Sequence, residues 1–296
     1  MNRIFQYPIT ETEAGVTIEH FLRAHGYSRH ILIHLKKTHE GIKRNDLWAR
    51  TCDVLHRGDI LQITILEEAS SENIIPVAMD LDIVYEDEDI MVLNKPADMP
   101  IHPSQNNYDN TLANGVAAYF AAKNQPFVYR CINRLDRDTT GLLILAKHML
   151  SSAILSQMMV NREIHRTYRA IVEGCPVPAA GVIDAPIGRV EGSAIERGVD
   201  FTHGERAVTH YRVLASNNEL SLMELQLETG RTHQIRVHMK YLGHPLIGDY
   251  LYYPDFARIS RQALHSYGLE FQHPITKNPL HFTCPLPADM ADIMVL

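Results

Sequence analysis

From Ile83 onward the chain alternates short apolar runs with charged turns. Gly141–Lys147 (GLLILAK) is a continuous apolar run of strand length, as expected of a strand covered on both faces. Tyr168–Val172, His210–Leu214 and Leu220–Leu227 also read as strands, and Ile83–Tyr85 and Ile90–Leu93 flank an acidic turn like a strand pair. Met149–Val160 has helical spacing. In Arg231–Leu242, residues Ile235, His238, Met239 and Leu242 share one helical face. Residues 16–66 form a separate compact pattern, with apolar-periodic segments at Val16–His25 and Ile31–Lys37 followed by short β-like runs. Together these elements predict an α+β fold: a mainly antiparallel, mixed-sheet domain over residues 76–296, preceded by a small α/β domain over residues 1–75.

Apolar residues make up 45% of the 296 positions, enough for a real core. No apolar run approaches the ~18 residues of a membrane span, and Met1–Gly15 carries charges and a proline where a secretion signal needs an apolar stretch. A cytoplasmic protein is the expectation. Cys52, Cys131, Cys175 and Cys284 are scattered without a CxxC pair, which speaks against disulfides and structural zinc.

Net charge is −7, from 28 basic and 35 acidic residues, which argues against non-specific coating of nucleic acid. The charge is unevenly spread. Between Phe21 and Arg57, Arg23, Arg29, Lys36, Lys37, Lys43, Arg44, Arg50 and Arg57 face only Glu40, Asp46 and Asp53, a local excess of five. His25, His30, His34, His39 and His56 share that stretch. A basic end on an acidic protein fits a nucleic-acid-binding module, and it fits an ordinary solvated surface equally well. Glu67 to Asp89 is the opposite: nine acids mark a seam expected to be linker and turn, and to repel a phosphate backbone. On that expectation the first 75 residues are removable without unfolding the rest.

Dinucleotide, P-loop, serine-hydrolase and zincin signatures are missing from the sequence. His233 and His238 are five residues apart, poor spacing for one metal on a helix. What remains is polar clusters beside apolar elements. Asn133-Arg134-Leu135-Asp136-Arg137-Asp138-Thr139-Thr140 precedes the GLLILAK strand. An aspartate there can be desolvated yet ionised if an arginine pairs with it, and can then serve as nucleophile or base. A loop ion pair would look the same. Glu228 to His238 opens a helix with Arg231 and Arg236, suited to a phosphate or a carboxylate, or simply to solvent. Tyr168, in the basic strand Arg166-Thr167-Tyr168-Arg169, is placed either to stack on an extruded base or to pack in a sheet.

Taken together, these segments resemble the RluA/RluD-type family of RNA pseudouridine synthases. NRLDRDTTGLLILAK is similar to the family's central motif, with Asn133 in place of the usual histidine and Thr140 of the usual serine. LNKPADMPIHPS (Leu93 to Ser104) resembles its opening motif, with Asp98 for glycine, and RTYRAIVEG (Arg166 to Gly174) its tyrosine motif, with Arg166 for lysine. LETGRTHQIRVHMKYLGHPLIGD (Leu227 to Asp249) and RQALHSYGLEFQHP (Arg261 to Pro274) match closely. The likeness covers roughly residues 80–290. SRHILIHLK, GIKRND and HRGDILQI, between Ser28 and Ile63, resemble the RNA-binding domain named after ribosomal small-subunit protein four.

The resemblance implies isomerisation of specific uridines in structured RNA, ribosomal rather than transfer RNA. It makes Asp136 the catalytic carboxylate, Tyr168 the active-site aromatic and Arg236 the partner of Asp136, ahead of Arg231. Arg134 would fill the space left by the extruded base, and Thr140, His233, Arg231 and Lys95 would complete the substrate pocket. Arg29, Lys36, Lys37, Lys43 and Arg44 would bind RNA from the N-terminal domain. No cofactor or metal is implied, neither DNA nor a membrane is an expected partner, and a monomer is expected. Two other readings stay open: an RNA-binding or ribosome-assembly protein that keeps the fold without catalysis, and a hydrolase using Asp136 with a nearby histidine.

Overall fold

The computed structural model describes residues 2–217 and 219–294. The chain opens with β1 (Asn2–Pro8), α1 (Ile18–Ala24), α2 (Arg29–Lys37), β2 (Ile42–Arg44), β3 (Leu47–Trp48) and β4 (Ile60–Leu66), whose strands form an antiparallel sheet in the order β1-β4-β2-β3. Both helices start where the sequence supplies a cap: the Thr17 hydroxyl accepts the His20 amide, and Ser28 that of Ile31. Ile18, Phe21 and Leu22 of α1, and Ile31, Leu32 and Leu35 of α2, pack on Phe5, Leu61, Ile63 and Ile65 of the sheet.

After an irregular stretch come β5 (Asp82–Glu86), β6 (Ile90–Lys95), α3 (Leu112–Ala122), β7 (Thr140–Ala146), α4 (Met149–Val160), β8 (His165–Glu173) and β9 (Ala180–Asp184). Next are β10 (Ile187–Arg189), β11 (Arg197–Val199), β12 (Val208–Ser216), β13 (Leu220–Leu227), α5 (Gln234–Tyr241), β14 (Leu264–Gln272), β15 (Pro279–Thr283) and α6 (Ala288–Ala291). β10 and β11 form a separate ribbon. The main sheet runs β5-β6-β7-β14-β8-β13-β12-β9, with β15 on β14. Its ladders are antiparallel except β7 on β14.

The apolar run of β7 is explained by two covered faces. Leu143 and Leu145 enter one core with Leu93, Val116, Phe120 and Tyr168; Leu142, Ile144 and Ala146 enter another with Ile90, Val92, Leu155 and Leu269. At the parallel contact Gly141 pairs with Ser266. Gly141 has φ +108°, and a Cβ there would lie 2.3 Å from the Ser266 carbonyl oxygen. Only glycine permits this approach, which fixes where the loop before β7 enters the sheet.

The seam departs from expectation. Residues 67–81 lack regular structure but are pinned: the Ser71 amide donates to the Phe127 carbonyl at 3.2 Å and that of Val77 to the Asn114 carbonyl at 3.1 Å. Much of the acidity is matched: Glu67 by Arg130, Glu86 by Lys147 and Lys123, Asp87 by His273, and Asp89 by Arg3 and His148. The N-terminal unit is not loosely tethered either. Leu150 of α4 is buried inside its core, and Phe5 meets the His148 ring edge-on at 5.7 Å. Removing the first 75 residues would bare that surface.

The basic cluster is also weaker than its count. Glu19 pairs with Arg23 and Lys36, Glu40 with Lys43, and Glu11 with Arg57. Arg44 is held by the Val54 carbonyl at 2.7 Å, with Asp59 at 3.9 Å. Glu11, Glu19 and Asp59 lie outside the window first counted; residues 1–66 hold nine basic and seven acidic residues, a net +2. Arg29 and Lys37 are exposed and make no ion pair among the described residues.

Candidate active site

The loop from Asn133 to Thr139 is held by its own backbone. Asn133 is buried and acts as an extra rung on β7: its side-chain oxygen accepts the Ile144 amide at 2.8 Å and its amide donates to Leu142 at 3.3 Å. The Lys95 amine and the Met99 amide both donate to the Arg137 carbonyl, at 2.7 and 3.2 Å. Arg261 reaches the Asp138 carbonyl at 3.1 Å while gripping Asp289 through both oxygens. With the carbonyls satisfied inward, the Asp136 side chain is left facing a cavity of about 300 Å³.

Behind Asp136 lies Arg236, 1% exposed on α5. Its Nε and Nη2 clamp Asp249 at 2.7 Å each, and its Nη1 donates to Asp136 at 3.0 Å. The rings of Tyr250 and Tyr252 lie 5.3 and 5.0 Å from the guanidinium. Burial works against the charge, but the two carboxylates outweigh it and hold Arg236 above its ordinary value. Of the two acids it touches, Asp249 is buried and Asp136 is the one that reaches solvent.

His233 stands at the start of α5 in the left-handed region, φ +58°, a conformation a non-glycine residue adopts at some cost. The turn is held by Gln234, which accepts the Arg231 amide and the Thr229 hydroxyl and donates to Val208 and Thr209. His233 hydrogen-bonds the Tyr252 hydroxyl at 2.9 Å and turns Nε2 to within 4.0 Å of Asp136. Burial lowers its pKa against the pull of Asp136, which favours the neutral ring. Tyr168 of β8 forms another wall; burial raises its phenol, with Arg166 pulling back.

Asp136, Arg236, Tyr168, His233, Arg134 and Arg231 all line the cavity. Arg134 is exposed at its mouth. Arg231 turns outward, pairing with Glu205 and donating to the Arg206 carbonyl at 3.1 Å, so Arg236 is the partner of Asp136. Two residues expected in the substrate pocket are elsewhere. Lys95 is buried behind the loop, donating to Pro96 and Arg137; burial drives its pKa down to about 7 although Asp138 and Asp136 pull upward. Thr140 faces β14, its hydroxyl 2.8 Å from His265 Nδ1. Both hold the site from behind and do not border the cavity. His238 is a packing residue, bonded to Thr209 and the Ala185 carbonyl.

The model for RNA pseudouridylate synthases matches residues 89–241, the span holding this cavity. The chain belongs to the RNA pseudouridylate synthase family. It is 40% identical over 279 residues to the uncharacterized RNA pseudouridine synthase YjbO of Bacillus subtilis, covering 94% of this chain and 98% of that one. It is 41% identical over 230 residues to ribosomal large subunit pseudouridine synthase D of Vibrio cholerae, covering 73% and 70%. Human RNA pseudouridylate synthase domain containing 4 has a similar solved structure: TM-score 0.58 at 26% identity, covering 71% of this chain and 90% of that one. This chain is thus an RNA pseudouridine synthase. In this pseudouridine synthase, reasoning from sequence missed two residues that shape the site. Asp249 orients Arg236, and the 13-residue gap between them hides the pairing. Arg166 lines the cavity beside Tyr168; the change from lysine at that position was the available signal.

Proposed function

We propose that the protein converts uridine to pseudouridine in ribosomal RNA, with Asp136 as the carboxylate that acts on the flipped nucleotide. One observation carries this reading: Asp136 presents an open carboxylate edge to a base-sized cavity while Arg236, clamped by Asp249, supports it from behind. The reaction breaks the glycosidic carbon–nitrogen bond, turns the uracil and rejoins it through carbon, with that carbon's proton leaving. It is redox-neutral. Tyr168 offers a ring face to the extruded base, and Arg134 at the cavity mouth is placed to fill the gap left in the RNA. The ribosomal target rests on relatives such as the Vibrio cholerae protein, whose name states that substrate.

Arg29 and Lys37, exposed on α2 and without an ion pair among the described residues, are the residues of the N-terminal unit best placed for phosphate. The test is to incubate unmodified large-subunit ribosomal RNA and a transfer RNA pool with the protein and map pseudouridine in both. Sites confined to the ribosomal RNA, and absent in cells lacking the gene, support the reading. Sites confined to transfer RNA overturn the target; none in either overturns the activity.

A further inference from the structure

Arg166 of β8 is the buried cation the mechanism above leaves idle. It is 8% exposed, its Nε has no hydrogen-bond partner, the Tyr168 phenol it acts on is a neutral group, and it makes no ion pair among the described residues. A guanidinium withdrawn from water without a counter-charge costs several kcal/mol, so such residues are paired in the resting protein or receive their partner with the ligand. Its position suggests the second case. Arg166 lines the Asp136 cavity and also an adjoining groove of about 430 Å³ that contains Arg162, His165 and His210. The two spaces meet at Arg166. Both contain Glu228, but that carboxylate is taken up by Arg162 at 2.7 Å, His210 at 2.9 Å and Arg206 at 3.6 Å. Glu270, the groove's other acid, lies 3.5 Å from His281. Gly230 keeps the room open: a Cβ there would stand 3.2 Å from Arg166 Nη1.

We propose that Arg166 binds a phosphodiester of the RNA backbone next to the flipped uridine, and that the adjoining groove carries the strand away from the cavity. This rests on the reading that the substrate is RNA. A nucleotide rotated into the Asp136 cavity draws its flanking phosphates to the rim, where the arginine fork matches two phosphate oxygens. The uracil carbonyls are the competing acceptor in the same space. They are neutral and release no counterions, so salt dependence separates the two.

The experiment compares wild type, Arg166→Met and Arg166→Lys on unmodified large-subunit ribosomal RNA carrying tritium at uracil C5, measuring tritium release and filter binding from 50 to 300 mM salt. For Arg166→Met we expect about tenfold weaker binding and a log–log salt slope shallower by about one. Arg166→Lys keeps the slope and recovers part of the affinity. An unchanged slope and affinity in Arg166→Met overturns the proposal, as does a fall in kcat with both unchanged, which would place Arg166 on the base. Should Arg166→Met not fold, Arg166→Gln decides by the same criteria. If wild type releases no tritium, the assigned activity fails, while the binding measurements still decide whether Arg166 holds phosphate.

Discussion

Two arginine–aspartate clusters use the same chemistry to opposite ends. At the junction of the N-terminal unit, Arg3 donates to both oxygens of Asp89, at 2.8 and 3.3 Å, and His148 to one of them at 2.9 Å. Beside it Asp87 takes the amides of Asp89 and Ile90, the Tyr85 hydroxyl and His273. Both histidines are fixed as Nε2–H donors, because Nδ1 of His148 accepts the Ser151 amide and Nδ1 of His273 accepts those of Ile275 and Thr276. Asp87, Asp89 and His273 have metal-like spacing, but their lone pairs are already engaged. Behind the cavity, Asp249 is equally saturated, by Arg236 and the amides of Leu251 and Tyr252. Among the described residues, the Asp136 carboxylate receives one hydrogen bond, from Arg236. What marks the reactive acid is therefore neither its charge nor its arginine, but the lone pairs left over.

If that distinction is right, the two clusters should fail differently when cut. Asp136→Asn should lower pseudouridine formation on the order of 10⁴-fold. Its melting temperature should stay within a few degrees of wild type, because Asp249 still holds Arg236. Substantial turnover in that variant would remove Asp136 from the chemistry. Arg236→Met should combine both failures: at least about 100-fold lower kcat, and about 3–5 kcal/mol less stability from stranding Asp249. Denaturant unfolding and kinetics on one preparation would show whether the losses separate.

Asp89→Asn should cost stability alone, about 2–3 kcal/mol, with kcat nearly unchanged. Burial pushes the pKa of Asp89 up, but His148 and Arg3 outweigh it and bring it to about 2, below the ordinary 3.8. Its contribution is complete above the higher value and is lost as pH falls through the lower, so this variant should lack that acid-labile portion. Parallel acid unfolding curves for the two proteins would contradict it. A pH effect without any loss of activity concerns Lys95. With a folded pKa of about 7 against 10.5 unfolded, the unfolded chain holds more protons between those values, and stability should rise with pH there by up to about 1.4 kcal/mol per unit. Lys95→Met should flatten that slope between pH 7.5 and 9.

The sequence displayed the cores better than the connections. β7 and α4 were readable because an apolar run and a helical stripe are local signals, and the Asp136–Arg236 pair followed from motif order. α3 was not readable: Leu112–Ala122 mixes alanines with an internal Asn-Gly and is buried on several sides, so no stripe stands out. Lys95 and Thr140 were misplaced because a motif says which segment borders a site, not which side chains turn toward it. The junction cluster was invisible, since His148 lies 59 residues from Asp89 and His273 186 residues from Asp87.

Leu150 sits on a helix of the catalytic body yet belongs to the core of the N-terminal unit. That shared core, with Met149, Ala153, Ile154 and Ile275 packed against it, makes the protein a calliper. If the exposed cations of α2 hold RNA as proposed, the span from them to Asp136 is set by packing and not by a flexible tether. Two features of one folded RNA must then lie at one separation and angle to be engaged together. A helix lengthened by a few base pairs between them would be refused without any base being read, and selectivity would reside in the spacing of the jaws.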